Sequence, residues 1–227
     1  MLLHIPQVLD ATQVGRIVAQ LEQAGPAWVD GRATAGYQGA PVKHNQQLAE
    51  GSTLARELGD VVLAALERNP LFISGVLPNR VYPPLFNRYG PGMTFGDHVD
   101  GAVRLLGNGD KLRTDVSATL FLSEPSDYDG GELNIADSYG MHQIKLAAGD
   151  MIVYPASSLH RVEPVTRGTR LASFFWIQSL VRDERQRNIL FDMDSAIQRL
   201  NASQADASAR RTLVGCYHNL LRTWTVT

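Results

Sequence analysis

The sequence predicts an α+β protein with a mainly β core, a jelly roll or another double-sheet β-fold, flanked by helices on both sides. Three observations predict it. Apolar residues recur at helical spacing before residue 70. From Leu71 to Gln178, short apolar runs alternate with turn residues, the pattern of many short strands. After Gln178 the helical spacing returns. A chain of 227 residues is long enough to bury one sizeable core.

The elements follow in order. Asp10 to Ala24 reads as an amphipathic helix, with Asp10 or Thr12 as cap and Val14, Ile17, Val18 and Leu21 on one face. Gly25-Pro26 stops it. Trp28 to Gly39 reads as irregular or weakly extended. Ser52 or Thr53 opens a second helix through Leu66, closed by Asn69-Pro70. The expected strands are Asn79–Tyr82, Leu85–Tyr89, Phe95–Val99, Val116–Leu122, Glu132–Ile135, Met141–Lys145, Met151–Tyr154, Leu159–Val162 and Arg170–Gln178. Gly130-Gly131 and Gly149-Asp150 mark turns, and Thr166-Arg167-Gly168 reads as a hairpin connection. Two final helices are expected over Val181–Leu200 and Ala205–Thr223, packed together, on the sheet or on a second subunit.

Composition excludes several classes. The net charge of −2 does not favour a nucleic-acid or membrane-surface binder. A single cysteine, Cys216, rules out an internal disulfide and fits a reducing compartment. The start of the chain lacks signal-peptide features, and no apolar run has the length of a membrane span. The expectation is a soluble cytoplasmic protein.

Chemistry concentrates at Phe95-Gly96-Asp97-His98-Val99-Asp100. On an extended strand, His98 and Asp100 point the same way, as two ligands of one metal ion would. Alone, this spacing also fits a solvated polar strand end. His160 follows on a later strand and could return over the first two residues. Two histidines and a carboxylate on strands compose the facial triad of non-haem Fe(II) oxygenases, which leaves open coordination positions. Ten residues after His160 comes Arg170, sharing a strand face with Ala172, Phe174 and Trp176. A buried guanidinium needs an anionic partner, and a dicarboxylate cosubstrate would supply one. A surface arginine at a strand end is the alternative.

Taken together, His98-Val99-Asp100, His160 and Arg170 resemble the H-x-D…H…R pattern of Fe(II)/2-oxoglutarate dioxygenases. Asn87-Arg88-Tyr89, Asp115 to Leu122, Tyr128 to Leu133 and Gly149-Asp150…Tyr154-Pro155 bring the likeness closer to the prolyl 4-hydroxylase-like branch, and within it to the PKHD-type hydroxylases. The resemblance runs through nearly the whole chain. It implies a double-stranded β-helix (jelly roll) with an iron site at its open end. Residues 1–178 would form the dioxygenase domain, with N-terminal helices over 1–70 and the jelly-roll core over 71–178. Residues 179–227 would be a helical C-terminal extension. It implies Fe(II) held by His98, Asp100 and His160, and 2-oxoglutarate held by Arg170, with Tyr89 where related hydroxylases place a tyrosine near the cosubstrate. It also implies hydroxylation of a C–H bond with release of succinate and carbon dioxide, and L-ascorbate as an accessory ligand. Asp100 argues against the halogenase variant of the fold, in which the carboxylate is replaced.

Other residues are weighed beside these. Tyr89 would otherwise be an ordinary strand aromatic. Gly101 to Arg113 reads as a loop carrying Arg104, Lys111 and Arg113, placed to close over substrate. His142 is expected to be structural, His4 and His44 surface residues, and His218 a packing or surface residue. Trp176 suits the core better than the pocket, and Asp97 should face away from the ligands. The competing reading is a redox-silent cupin-like metal-binding protein or isomerase, which has no need of Arg170. The partner is a small-molecule or peptide substrate, with no nucleic acid or membrane expected, and the terminal helices offer a homodimer surface. The sequence does not choose among free amino acid, peptide, protein side chain and siderophore-like molecule.

Overall fold

Every residue of Val116–Phe121 is buried. A strand covered on both faces belongs in the middle of a sheet with layers on each side. In the computed structural model, which describes residues 1–37, 39–203 and 206–226, this strand runs antiparallel to Met151–Pro155 on one side and Arg170–Ser179 on the other. They form the centre of an eight-stranded sheet. Leu3–Ile5 lies outside Met151–Pro155. Beyond Arg170–Ser179 come Leu85–Tyr89, Gln46–Leu48 and Trp28–Asp30, while Pro78–Val81 pairs with the last residues of Arg170–Ser179. A second, five-stranded sheet runs Gly140–Ile144, Leu133–Asp137, His160–Val162, Thr94–His98, Lys43–His44. Side chains of both sheets share one cluster, including Tyr89, Phe121 and Ile152 from the larger and Leu133, Ile135 and Val162 from the smaller. This is the double-sheet jelly-roll core the sequence predicts.

Helices cover the outer face of the larger sheet. Helix α1, Ala11–Glu22, starts at Asp10, which accepts from the Gln13 N–H at 2.8 Å while Gln13 Oε1 accepts from the Asp10 N–H at 3.0 Å. This reciprocal cap satisfies donors that a helix start leaves free. Helix α2, Thr53–Leu66, is capped by Ser52. Val14, Ile17 and Leu21 of α1, with Leu58 and Val62 of α2, pack on the sheet's Val116, Ala118, Leu120 and Phe175. Helix α3, Pro70–Val76, was not expected. Asn69 caps it and Pro70 occupies its first turn, where the missing N–H costs nothing. The pair that ends α2 therefore also opens α3, and residues 71–76 are helical rather than the start of the β region.

The C-terminal pair is α4, Glu184–Asn201, capped by Asp183, and α5, Ala207–Trp224, capped by Asp206. Ala205, where the sequence begins this last helix, lies outside the described residues. Leu190 of α4 packs with Leu77 and Val181, and Tyr217, Leu220, Leu221 and Trp224 of α5 close over them. No helix of the described residues is long and apolar enough to cross a membrane.

Two further expectations are corrected and one is sharpened. Trp28 to Gly39, expected to be irregular or weakly extended, contains the short strand Trp28–Asp30, and the unanticipated strands Lys43–His44 and Gln46–Leu48 follow. They are too short and polar to show a period. Thr166-Arg167-Gly168 is not a hairpin connection: Val165–Gly168 is itself a strand paired with Tyr128–Gly130. Gly101 to Arg113 is not an open loop, because Val103–Leu105 and Lys111–Arg113 pair as a hairpin.

Candidate active site

Strand alternation sorts the central strands into two chemistries. Val116, Ala118 and Leu120 face the helices, and their neighbours Ser117 and Thr119 face a cavity of about 570 Å³. Likewise Leu171, Phe175 and Ile177 face the helices, while Arg170, Phe174 and Trp176 line the cavity. The cavity thus lies on the inner face of the larger sheet, between the two sheets.

Two strands of the smaller sheet bring the histidines together. His160 and His98 are directly paired residues of the antiparallel strands His160–Val162 and Thr94–His98. Their ring centroids are 4.1 Å apart. Each Nδ1 faces a backbone carbonyl, His98 to Gly96 at 2.8 Å and His160 to Ser158 at 3.0 Å. A carbonyl only accepts, so each Nδ1 carries a proton, and in the neutral ring Nε2 then presents the lone pair. Burial, and then the neighbouring His160, depress the His98 pKa well below the ordinary imidazole value. His98 is therefore neutral at neutral pH, as a ligand must be.

Asp100 arrives differently from the expectation. The strand ends at His98, so alternation does not run through to Asp100. Its carboxylate is instead held by Ser117, whose Oγ donates to Oδ2 at 2.6 Å. The same oxygen lies 3.8 Å from His160 Nε2, too far for a hydrogen bond. Ligand atoms of His98, Asp100 and His160 all lie within 4.8 Å of one another. Three acceptors aimed at one point repel unless a cation sits among them, so this donor set suits a divalent metal such as Fe(II).

Arg170 is 1% exposed. Its strand pairs it with Tyr89, and its guanidinium carbon lies 5.4 Å from the Tyr89 ring centroid and 5.2 Å from that of Phe121. Nε and Nη2 have no hydrogen-bond partner among the described residues. A buried cation with unpartnered donors is costly, and an incoming carboxylate would answer it. Burial pushes the Tyr89 phenol up to about 12, so it remains a hydroxyl donor at neutral pH.

The remaining expectations divide. His4 and His44 are exposed, His218 is exposed on α5, and His142 bonds Asp137 at 2.8 Å. Asp97 is paired with Arg161 at 3.3 Å rather than joining the triad. Trp176 is buried, yet it also forms part of the cavity wall. Of the basic residues in 101–113, only Arg104 lines the cavity. Arg113 turns away and grips Asp115 at 2.7 and 2.9 Å. Two residues escaped the sequence reading. Ser117 left a signal, a polar residue in an apolar strand. Lys43, buried in the cavity wall, left none, because its strand has only two residues.

The fold defines a class. Residues 84–178 match the 2OG-Fe(II) oxygenase superfamily, whose members use Fe(II) and 2-oxoglutarate. Residues 184–225 match the PKHD-type hydroxylase C-terminal domain. A PKHD-type hydroxylase of Paraburkholderia phytofirmans is 74% identical over 227 residues, covering 100% of each chain. The chain belongs to the PKHD-type hydroxylase family, and it is a 2-oxoglutarate-dependent hydroxylase. Among solved structures it is similar to a Pseudomonas putida prolyl-4-hydroxylase, at 22% identity and a TM-score of 0.53, covering 78% of this chain and 92% of that one. It is also similar to an alpha-ketoglutarate-dependent carbocyclase of nogalamycin biosynthesis, at 16% identity and a TM-score of 0.57, covering 79% and 80%. These two likenesses concern the fold alone.

Proposed function

We propose that His98, Asp100 and His160 hold Fe(II), and that Arg170 binds the distal carboxylate of 2-oxoglutarate beside Tyr89. With dioxygen as the oxidant, the enzyme then hydroxylates a C–H bond of a small-molecule or peptide substrate, one oxygen atom entering the new hydroxyl and the other succinate, with release of carbon dioxide. The observation that carries this reading is the guanidinium of Arg170, whose Nε and Nη2 have no hydrogen-bond partner among the described residues, buried in the same cavity as three convergent acceptors. Fe(II) bound at the triad would activate dioxygen, the oxidant, with 2-oxoglutarate as the co-reductant, and the chain supplies position. The carbonyls of Gly96 and Ser158 fix the ring orientation of the two histidines. Ser117 fixes the carboxylate of Asp100. Arg170 sets the direction in which the cosubstrate enters, and the aromatic rings around it keep water from competing for its charge.

The test is spectroscopic. Anaerobic protein with Fe(II) and 2-oxoglutarate should develop the weak visible charge-transfer band of a chelated keto acid, and His98→Ala should remove it. Arg170→Ala should raise the 2-oxoglutarate concentration needed for the band by about tenfold or more, since truncating one partner of a buried charge pair typically costs 2–5 kcal/mol. Folded wild-type protein without the band would overturn the cosubstrate assignment. An unchanged requirement in Arg170→Ala would place the carboxylate on another cation.

A further inference from the structure

The cavity holds more positive charge than the cosubstrate reading consumes. On that reading, Arg170 is answered by the distal carboxylate of 2-oxoglutarate. The charge of the iron is met by Asp100 and by the other carboxylate of the cosubstrate. Asp97, at the cavity wall, is already paired with Arg161. What remains without an anion is Lys43 and Arg104, both in the cavity wall and neither within ion-pair distance of a carboxylate among the described residues.

Their placement follows an aromatic path that starts at the triad. Phe95 stacks on His98, ring centroids 3.5 Å apart. Lys43 Nζ lies 5.1 Å from the Phe95 ring and 5.7 Å from the Phe174 ring. Phe174 meets Trp176 edge-on, at 5.7 Å. Arg104 lies over Trp176 with its guanidinium carbon 4.2 Å from the ring centroid. Arg170 stands apart, against Tyr89 and Phe121.

Lys43 is an unusual residue to bury. It is 5% exposed, and among the described residues its ammonium donates only to neutral oxygens, Gln47 Oε1 at 2.9 Å and Thr34 Oγ1 at 3.3 Å. An ammonium has three protons to give. Burial, followed by repulsion from Arg104, lowers its pKa to about 8, which still leaves it largely cationic at neutral pH. Buried Lys43, which Asp100 and Asp30 attract only from a distance, and half-buried Arg104 repel each other on one aromatic wall; with no carboxylate in direct contact among the described residues, they fit an anionic group brought by a ligand. A planar carboxylate can lie against Arg104 while accepting from Lys43.

We propose that Lys43 and Arg104 form a carboxylate-binding subsite for the primary substrate, separate from the 2-oxoglutarate site at Arg170. The substrate class is therefore an organic acid or a peptide presenting a carboxylate, with apolar bulk toward Phe174 and Trp176. This rests on the proposed cofactor arrangement, and the experiment separates the two.

Anaerobic enzyme is loaded with Fe(II) and saturating 2-oxoglutarate, so that Arg170 is occupied, and its visible band is recorded. Phenylacetate and N-acetylleucine are then titrated by calorimetry, each against its own amide. A short alanine-leucine peptide is compared with a free and an amidated C-terminus. Wild type should bind at least one acid about tenfold or more tightly than its amide, as expected for losing one charge-assisted contact. The small acids and the peptide report which source of carboxylate the site takes. Lys43→Met and Arg104→Gln should each abolish that preference, and Lys43→Arg should keep it. Arg104 is on the hairpin rather than in the core, so its variant gives a reading even if Lys43→Met fails to fold. If no band forms in wild type, the cofactor reading falls. If the band forms and acids bind no better than amides, or if the preference survives in both variants, the subsite falls alone. A Lys43→Met protein that folds but needs far more 2-oxoglutarate would also overturn it, by assigning Lys43 to the cosubstrate.

Discussion

Ser117 shows how much of this site is decided by a single hydroxyl. It is buried in an otherwise apolar strand, and its Oγ donates to Asp100 Oδ2 at 2.6 Å. Asp100 stands beyond the end of its strand, so the backbone ladder does not hold its carboxylate in place. Ser117→Ala removes this restraint and little volume. Outer partners of metal ligands are commonly worth 10- to 100-fold in metal affinity, so the variant should bind Fe(II) at least about tenfold more weakly while its fold is unchanged. Competition with a chelator under anaerobic conditions measures this, and wild-type affinity would mean that another group orients Asp100. The same residues show what was readable. His160 and Arg170 stand out in sequence because such side chains are expensive on buried strands without a purpose, and His98 and Asp100 through their spacing. Ser117 carries a weaker form of that signal. Lys43 carries none, since its burial is created by the distant Phe95 and Phe174 rather than by its own neighbours in sequence.

At the scale of elements, the long strands were legible as apolar runs bounded by turn residues. Arg170–Ser179 is ten residues long and buried along almost its whole length, as a central strand is. The short strands Lys43–His44, Gln46–Leu48 and Val165–Gly168 repeat too little to announce themselves. Turns can be legible and still have an unread purpose. Gly130-Gly131 is recognisable as a turn, but the structure shows why side chains are excluded. Both residues have positive φ, +70° and +68°. A Cβ on Gly131 would lie 2.9 Å from Val165 Cγ2 and 3.2 Å from Arg170 Cδ. Gly131→Ala should therefore cost more than about 1 kcal/mol of stability, the penalty of a side chain in a left-handed conformation plus crowding. It should also raise the 2-oxoglutarate requirement, because the displaced atoms carry the guanidinium. Denaturant unfolding and titration of the visible band test the two parts. A loss of stability with an unchanged requirement would show that Arg170 tolerates the shift.

Across the whole molecule, the C-terminal helices and the hairpin that carries Arg104 meet at Asp115. Helical periodicity announces α4 and α5, but their docking place depends on Leu77, which no pattern in 179–227 could reveal. Asp115 sits where the core strands, the hairpin and the start of the C-terminal region join. Its carboxylate accepts both arms of the Arg113 fork, at 2.7 and 2.9 Å, and the Ser179 N–H at 2.9 Å. Arg113 in turn donates to the Ser179 carbonyl at 3.3 Å. Asp115 is nearly covered, and its hydrogen bond to Arg113, with a smaller contribution from its charge, raises the Arg113 pKa. Arg113 ends the strand that pairs with Val103–Leu105, and Arg104 projects from that partner strand. Asp115→Asn keeps the shape but removes the charge from the fork. It should cost about 1.5–3 kcal/mol of stability, the usual worth of hydrogen bonds to charged groups. Because the weakened joint supports Arg104 and not Arg170, the acid-over-amide preference should fall while the 2-oxoglutarate requirement stays at the wild-type value. Calorimetry on the anaerobic enzyme reads both quantities in one preparation. A parallel rise in both requirements would mean that the joint supports the entire cavity, and that the C-terminal helices brace the double-sheet core rather than the hairpin.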